Sequence, residues 1–277
     1  MIQVFFQYQF LTYTLYTGLM IGLIAPIIGV FLVVRRLSLI SDALSHITLS
    51  GIAFSLLLGR HYIFFSTLNP IYMGMIFSVG GALFIEKLRN VYRYYKELAI
   101  PIILSAGIGI GVVFISLANG FNNDLFQYLF GSVVAIRQSD FELIRFITVI
   151  VIILFILFYK EWFYLSFDED QAVVSGIPKK TLHVLFIVVV ALVIAASMRI
   201  VGILLVSSLM TLPVAAAMRW AKGFKQMFFY SIVFAEVSVL LGLISAFHLE
   251  LAPGGTIVMI SVLILLVSIL LTKKRTT

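Results

Sequence analysis

The sequence predicts an all-α polytopic membrane protein, and three observations carry that prediction. Of 277 residues, 62% are hydrophobic and only 11% charged, against roughly a quarter charged in an ordinary soluble domain. The apolar residues fall in runs of about 20, long enough to cross the hydrocarbon core as helices. A β-barrel would instead show short alternating segments. The third observation is charge placement. With the turn at Arg35 and Arg36 assigned to the cytoplasm, the loops at 87–97 (Lys87, Arg89, Arg93, Lys96) and 160–180 (Lys160, Lys179, Lys180) join it. So do 219–226 (Arg219, Lys222, Lys225) and the tail (Lys273, Lys274, Arg275), placing fifteen of nineteen basic residues inside.

About nine spans follow, at 12–34, 39–59, 70–88, 98–118, 140–159, 181–198, 201–219, 227–248 and 254–272, with an outer N-terminus and an inner C-terminus. All fall in a single transmembrane domain, 1–277. The stretch before the first span lacks a basic n-region and is not read as a secretory signal. Its Phe5, Phe6, Tyr8 and Phe10 suit an interfacial anchor. Only Arg60, Arg137, Arg145 and Arg199 fall at the outer boundary. Asn122 to Ile136 is too short to span as a helix, and a crossing there would turn every later basic loop outward. A short outer or re-entrant helix is expected. The formal charge of +7 is explained by the cytoplasmic loops and predicts no nucleic-acid partner. Cysteine is absent, which excludes disulfides and thiolate metal sites.

The segment from 201 to 219 holds Ser207, Ser208, Thr211 and Pro213, which can disturb or re-satisfy backbone hydrogen bonds. It fits either a broken helix along a pathway or ordinary small-residue packing. In the cytoplasmic stretch 167–178, Asp168, Glu169 and Asp170 open a short helix, where acidic residues suit the N-terminal dipole. Gly176 ends it and Pro178 stops its continuation. Such a capped helix is either a docking lug for a soluble partner or a solvated loop.

Ionisable groups inside spans are expensive and need a partner, water or a bound ion. Asp42 and His46, four residues apart, share a helix face and offer an oxygen and an imidazole nitrogen, donors that suit Zn²⁺ or Mn²⁺. Two ligands do not close a site, so others must come from another helix, a second subunit or water. Glu236 lies about ten residues inside its span, near the membrane centre at about 1.5 Å per residue, and is the third candidate metal ligand. Glu86 beside Lys87 and Arg89 reads as a surface ion pair. His61, His248 and Glu250 lie on the outer side, and His183 lies near the cytoplasmic loop. Met73, Met75 and Met210 are soft possible ligands that read more simply as packing.

The stretches VFLVVRRLSLISDALSHITLSGIAF, NDLFQYLFGSVVAI, DEDQAVVSGI, MRIVGILLVSSLMTLPVAAAM and LAPGGTIV together resemble the permease subunits of zinc/manganese/iron ABC importers, in order over nearly the whole chain. The resemblance implies a type II ABC importer permease-like fold, with two copies forming a translocation path at their interface. It further implies a cytoplasmic ABC ATPase below and an extracytoplasmic metal-binding protein above. Asp168, Glu169, Asp170, Gln171, Ala172, Gly176 and Ile177 match the family's coupling helix. The cargo expected from the resemblance and the His/Asp pair is a divalent metal, zinc ahead of manganese or iron, with no permanently bound cofactor. No phosphate-binding G-x-x-x-x-G-K-S/T loop is present, so ATP hydrolysis is expected in the partner and no enzymatic activity in this chain. A chelate importer for haem or a siderophore is expected to have a longer, ten-span form. An ion-coupled secondary transporter would not need the 167–178 segment. A membrane metalloprotease would need an HExxH set that SHITLSG lacks.

Overall fold

The computed structural model describes residues 8–92, 94–118, 120, 123–133, 136–203 and 205–273. Phe5, Phe6, Arg93, Asn122, Val134, Ala135, Lys274 and Arg275, used in the sequence reading, lie outside the described residues. In chain order the helices are α1 (Gln9–Val34), α2 (Leu39–His61), α3 (Ile63–Thr67), α4 (Pro70–Val91), α5 (Ala99–Leu117) and α6 (Asn123–Phe130). They continue with α7 (Gln138–Phe167), α8 (Glu169–Val174), α9 (Lys179–Val201), α10 (Val206–Met218), α11 (Phe224–Leu249) and α12 (Pro253–Lys273). A 3₁₀ turn, Lys96–Leu98, leads into α5.

Eight of the described helices are long and apolar enough to cross a membrane: α1, α2, α4, α5 with its 3₁₀ turn, α7, α9, α11 and α12. The ninth expected span is the 13-residue α10, about 20 Å at 1.5 Å per residue. It is shorter because α9 runs on to Val201 and breaks at Gly202, whose φ of 82° favours glycine. The freed backbone groups find partners: Arg199 O accepts from Ser132 N at 3.2 Å, and Ile203 N donates to Tyr128 O at 2.9 Å. At the other end Arg219 Nε donates to Thr272 Oγ1 of α12 at 3.3 Å. The C-terminal ends of α10 and α12 thus share one side, as the basic loops require.

α6 is eight residues long, far short of a span. The segment after it stays beside the start of α1, where Thr14 Oγ1 donates to Val133 O at 2.6 Å. Tyr13 of α1 stacks on Phe141 of α7 with centroids 5.1 Å apart. α6 therefore does not span, in keeping with the short outer or re-entrant helix expected there.

A buried charge pair holds this outer end together. Asp140, fully buried, lies 3.2 Å from Arg199 at the end of α9. It also accepts from Asn69 Nδ2 at 2.5 Å and from Arg137 N at 2.9 Å. Arg199 donates to Tyr128 OH of α6 at 3.2 Å and lies over that ring. Asn69 caps α4 by accepting from Ile71 N. One carboxylate thus joins the N-terminal ends of α4 and α7 to the end of α9 and, through Arg199, to α6.

α9 is the central strut: every residue from Val193 to Gly202 is buried, and it packs on α1, α2, α4, α7, α10 and α12. Near the cytoplasmic end, Phe31 of α1 meets Phe155 and Trp162 of α7, Phe186 of α9, and Phe224 and Phe228 of α11 at 5.5–6.2 Å. Small residues set the closest contacts. A Cβ on Gly29 would overlap the Met210 carbonyl of α10, and one on Gly51 would lie 2.6 Å from the Met73 carbonyl of α4. α7 and α12 turn apolar side chains such as Phe146, Ile156, Met259 and Leu270 outward, which lipid tolerates and water does not.

Candidate functional site

α2 carries an unusual load of hydroxyls for a membrane helix. Ser41, Ser45, Thr48 and Ser50 are buried and return their hydrogen bonds to carbonyls three or four residues back, at 2.6–3.0 Å. Asp42, in the first turn, and His46, one turn further, are half-buried. Among the described residues neither has a hydrogen bond to another side chain. Backbone contacts hold this part of α2 in place. Ser50 Oγ donates to Gly107 O of α5 at 2.6 Å, and a Cβ on Gly107 would lie 3.1 Å from Ile47 N and 3.3 Å from the His46 carbonyl carbon. On the α4 side, Gly74 seats against Thr48 and Ile52. The pair therefore projects from a helix clamped between α4 and α5, with donors unspent.

Glu236 stands elsewhere. Its helix α11 packs on α1, α10 and α12, whereas α2 packs chiefly on α4 and α5. The carboxyl lies against Gly22 of α1, where a Cβ would come within 3.2 Å of Cδ and Oε1. Oε2 is buried without a hydrogen-bond partner among the described residues. α10, next to α11, brings Ser207, Ser208 and Thr211 to the same bundle; Thr211 Oγ1 donates to Ser207 O at 2.9 Å. Among the described residues no three His, Asp or Glu side chains gather closely enough to hold a metal ion. The geometry joins Asp42 to His46 and leaves Glu236 apart.

The short helix α8 forms as its sequence dictates. Asp168 Oδ1 caps α8 by accepting from Gln171 N at 2.9 Å. Gly176 ends it at φ 82°, and Ile177 N closes on Ala172 O at 3.1 Å. Ala172 is fully buried and seats the helix on the membrane body. Asp170, Gln171, Val173 and Val174 face out, Val174 at 87% exposure. Glu169 pairs with Lys179 and lies 3.7 Å from Arg35. Burial pushes the Glu169 carboxyl up, but Lys179 and Arg35 outweigh it and hold the group below its usual value.

Behind α8 lies a polar cluster that the sequence reading did not assemble. Arg35 Nη2 meets His183 Nδ1 of α9 at 3.1 Å. His183 Nε2 lies 3.0 Å from Arg89 Nη1 and 3.0 Å from Glu86 Oε2, both on α4. Glu86 is therefore no plain surface pair with its basic neighbours. Its side chain is only 18% exposed, because α9 brings His183 over it. The charges themselves were visible in sequence; their convergence from four separate elements was not. The same holds for Asp140 and Arg199, 59 residues apart. Of the outer candidates, His61 and Glu250 are exposed, and His248 Nδ1 contacts Ile244 O of its own helix. Met210 is wholly buried, as packing requires.

These helices define a polytopic membrane protein. Comparison with known proteins narrows the class. Residues 7–272 match the model of the ABC 3 transport family, and the chain belongs to that family. It is 33% identical over 96% of its length to a probable metal transport system membrane protein of Treponema pallidum, covering 97% of that protein. It is also 33% identical over 97% of its length to the manganese transport system membrane protein MntC of Listeria monocytogenes, covering 93% of it. Among solved structures it is similar to PsaBC of Streptococcus pneumoniae in complex with Fab. There the TM-score is 0.83 at 29% identity, over 97% of this chain and 95% of the other.

Proposed function

We propose that the chain is the permease subunit of an ABC importer that carries a divalent first-row metal ion into the cytoplasm. One observation carries the reading. A carboxylate and an imidazole stand one turn apart in a clamped membrane helix, half-buried and with no other polar partner among the described residues. Zinc is the expectation from the family resemblance together with the His/Asp pair. The names of relatives such as MntC support manganese, whose preference for oxygen and nitrogen donors the pair also meets. A single copy supplies too few ligands, so a second copy related by a two-fold axis would complete the site, giving two carboxylates and two imidazoles. Glu236 is a separate candidate, a mid-span carboxyl that the ion could meet at another stage. α8 serves as the coupling helix: its outward Val173 and Val174 offer an apolar contact to a cytoplasmic ATPase. An extracytoplasmic binding protein would deliver the ion from the other side. ATP-driven closure of the ATPase pair would move α8 and open the two-fold interface alternately, and a two-ligand contribution per copy is weak enough to let the ion leave.

The test is uptake of ⁵⁴Mn²⁺ and ⁶⁵Zn²⁺ by cells carrying wild type, Asp42→Asn, His46→Gln or Glu236→Gln at equal membrane levels. Asp42→Asn and His46→Gln are expected to lower uptake of the native ion by roughly 100-fold, the scale of losing a metal ligand set or its support. Undiminished uptake in both variants sinks the proposed site. The isotope that wild type accumulates names the cargo.

A further inference from the structure

We propose that His183 is the positioning residue through which movement of α8 reaches the helices that hold the ion. The proposal rests on the coupling role given above to α8. Steps of 3.7 Å or less connect the elements: Glu169 of α8 to Arg35 at the end of α1, Arg35 to His183 of α9, and His183 to Glu86 and Arg89 of α4. α4 is locked to α2 by Gly51 against the Met73 carbonyl and Gly74 against Thr48, so a shift of α4 carries Asp42 and His46 with it. It is also tied to α9 by Ser78 Oγ donating to Ala191 O at 3.2 Å.

The cluster is a poor device for stability alone. The Arg35 side chain is only 5% exposed, and its Nη1 is buried without a hydrogen-bond partner among the described residues. It also faces the like charge of Arg89. Burying such groups costs free energy that an apolar replacement would avoid. What the imidazole contributes is directional. With Arg35 Nη2 against Nδ1 and Glu86 Oε2 and Arg89 Nη1 each 3.0 Å from Nε2, one rigid ring sets the distance between the end of α1 and the end of α4. Removing the ring leaves Arg35 and Glu86 without that spacer, while the outer surface of α8, with Val173 and Val174, is unchanged.

The experiment measures, in one set of proteoliposomes holding permease, ATPase subunit and binding protein, ⁵⁴Mn²⁺ taken up per phosphate released. His183→Ala is expected to keep the ATPase bound and hydrolysing while ions per ATP fall roughly tenfold, within the range seen for residues along a coupling network. Glu86→Gln, which keeps shape and removes charge, should fall in the same direction and carries the test should the alanine variant not accumulate. An unchanged ratio overturns the proposal. Loss of the ATPase from the His183→Ala complex also overturns it, since the residue would then merely support docking. Val174→Glu separates the two readings: an ATPase that stays bound to this variant sinks the docking role of α8. An ATPase that leaves it, with a normal ratio in His183→Ala, sinks the role of His183 alone.

Discussion

Removing the buried carboxylate at the outer end should unlatch four elements at once. Asp140→Ala takes the acceptor from Arg199, Asn69 and the Arg137 backbone N–H together. Arg199 is then left with Tyr128 alone, in a site where its side chain is only 9% exposed. Breaking one half of a buried pair costs about 3–5 kcal/mol, because the surviving charge is stranded. At roughly 2–4 °C per kcal/mol for chains of this general size, the thermal midpoint of the detergent-purified protein should fall by about 10 °C. Arg199→Met should cost a similar amount. The double variant Asp140→Leu with Arg199→Met should regain more than half of it, since both charges leave and only Asn69, Tyr128 and one N–H lose partners. The assay is the temperature at which monodisperse protein is lost on heating. A shift of less than about 2 °C in both single variants, on the same scale, would refute the assignment of this pair as the latch.

Other outcomes follow from close packing and from charge. Gly29→Ala places a methyl on the Met210 carbonyl and should force α1 from α10 at a cost of about 1–3 kcal/mol. Gly80→Ala, where a Cβ meets open space, should leave the same thermal midpoint unchanged or raise it. Acidification should loosen α8. Glu169 is held below its usual value in the folded protein, so its contribution is present above the unfolded value, about 4.3, and is lost as pH falls through the lowered one. Labelling of a cysteine introduced at the buried Ala172, expressed per thiolate, should therefore rise on acidification into that range. Glu169→Gln should label fast at neutral pH and change little on acidification; pH-independent labelling of the otherwise native protein removes Glu169 as the anchor.

Much of the membrane body could be read from one dimension. Apolar runs mark the spans because a lipid-exposed helix must be apolar over about 20 residues whatever its neighbours, and basic loops orient them by a rule that acts on the nascent chain. α8 was legible too, since Asp168 and Gly176 define its ends by contacts within a few residues. Asp42 and His46 could be singled out because four residues are about one helical turn. None of these inferences needs a distant residue.

Tertiary structure decided the rest. α10 is short because Gly202 breaks the chain where residues 128–132 supply the missing backbone partners. Asp140 gathers its partners only where four elements converge on it, and Glu86 turned from a surface charge into a half-buried contact when α9 laid His183 across it. Glu236, which composition alone would group with Asp42 and His46, sits in a different set of helices, against Gly22. The division has one physical cause. Lipid, loop charge and helix capping act on neighbours in sequence. The worth of a buried charge depends on which partners the fold brings within about 4 Å, and sequence separation says nothing about that.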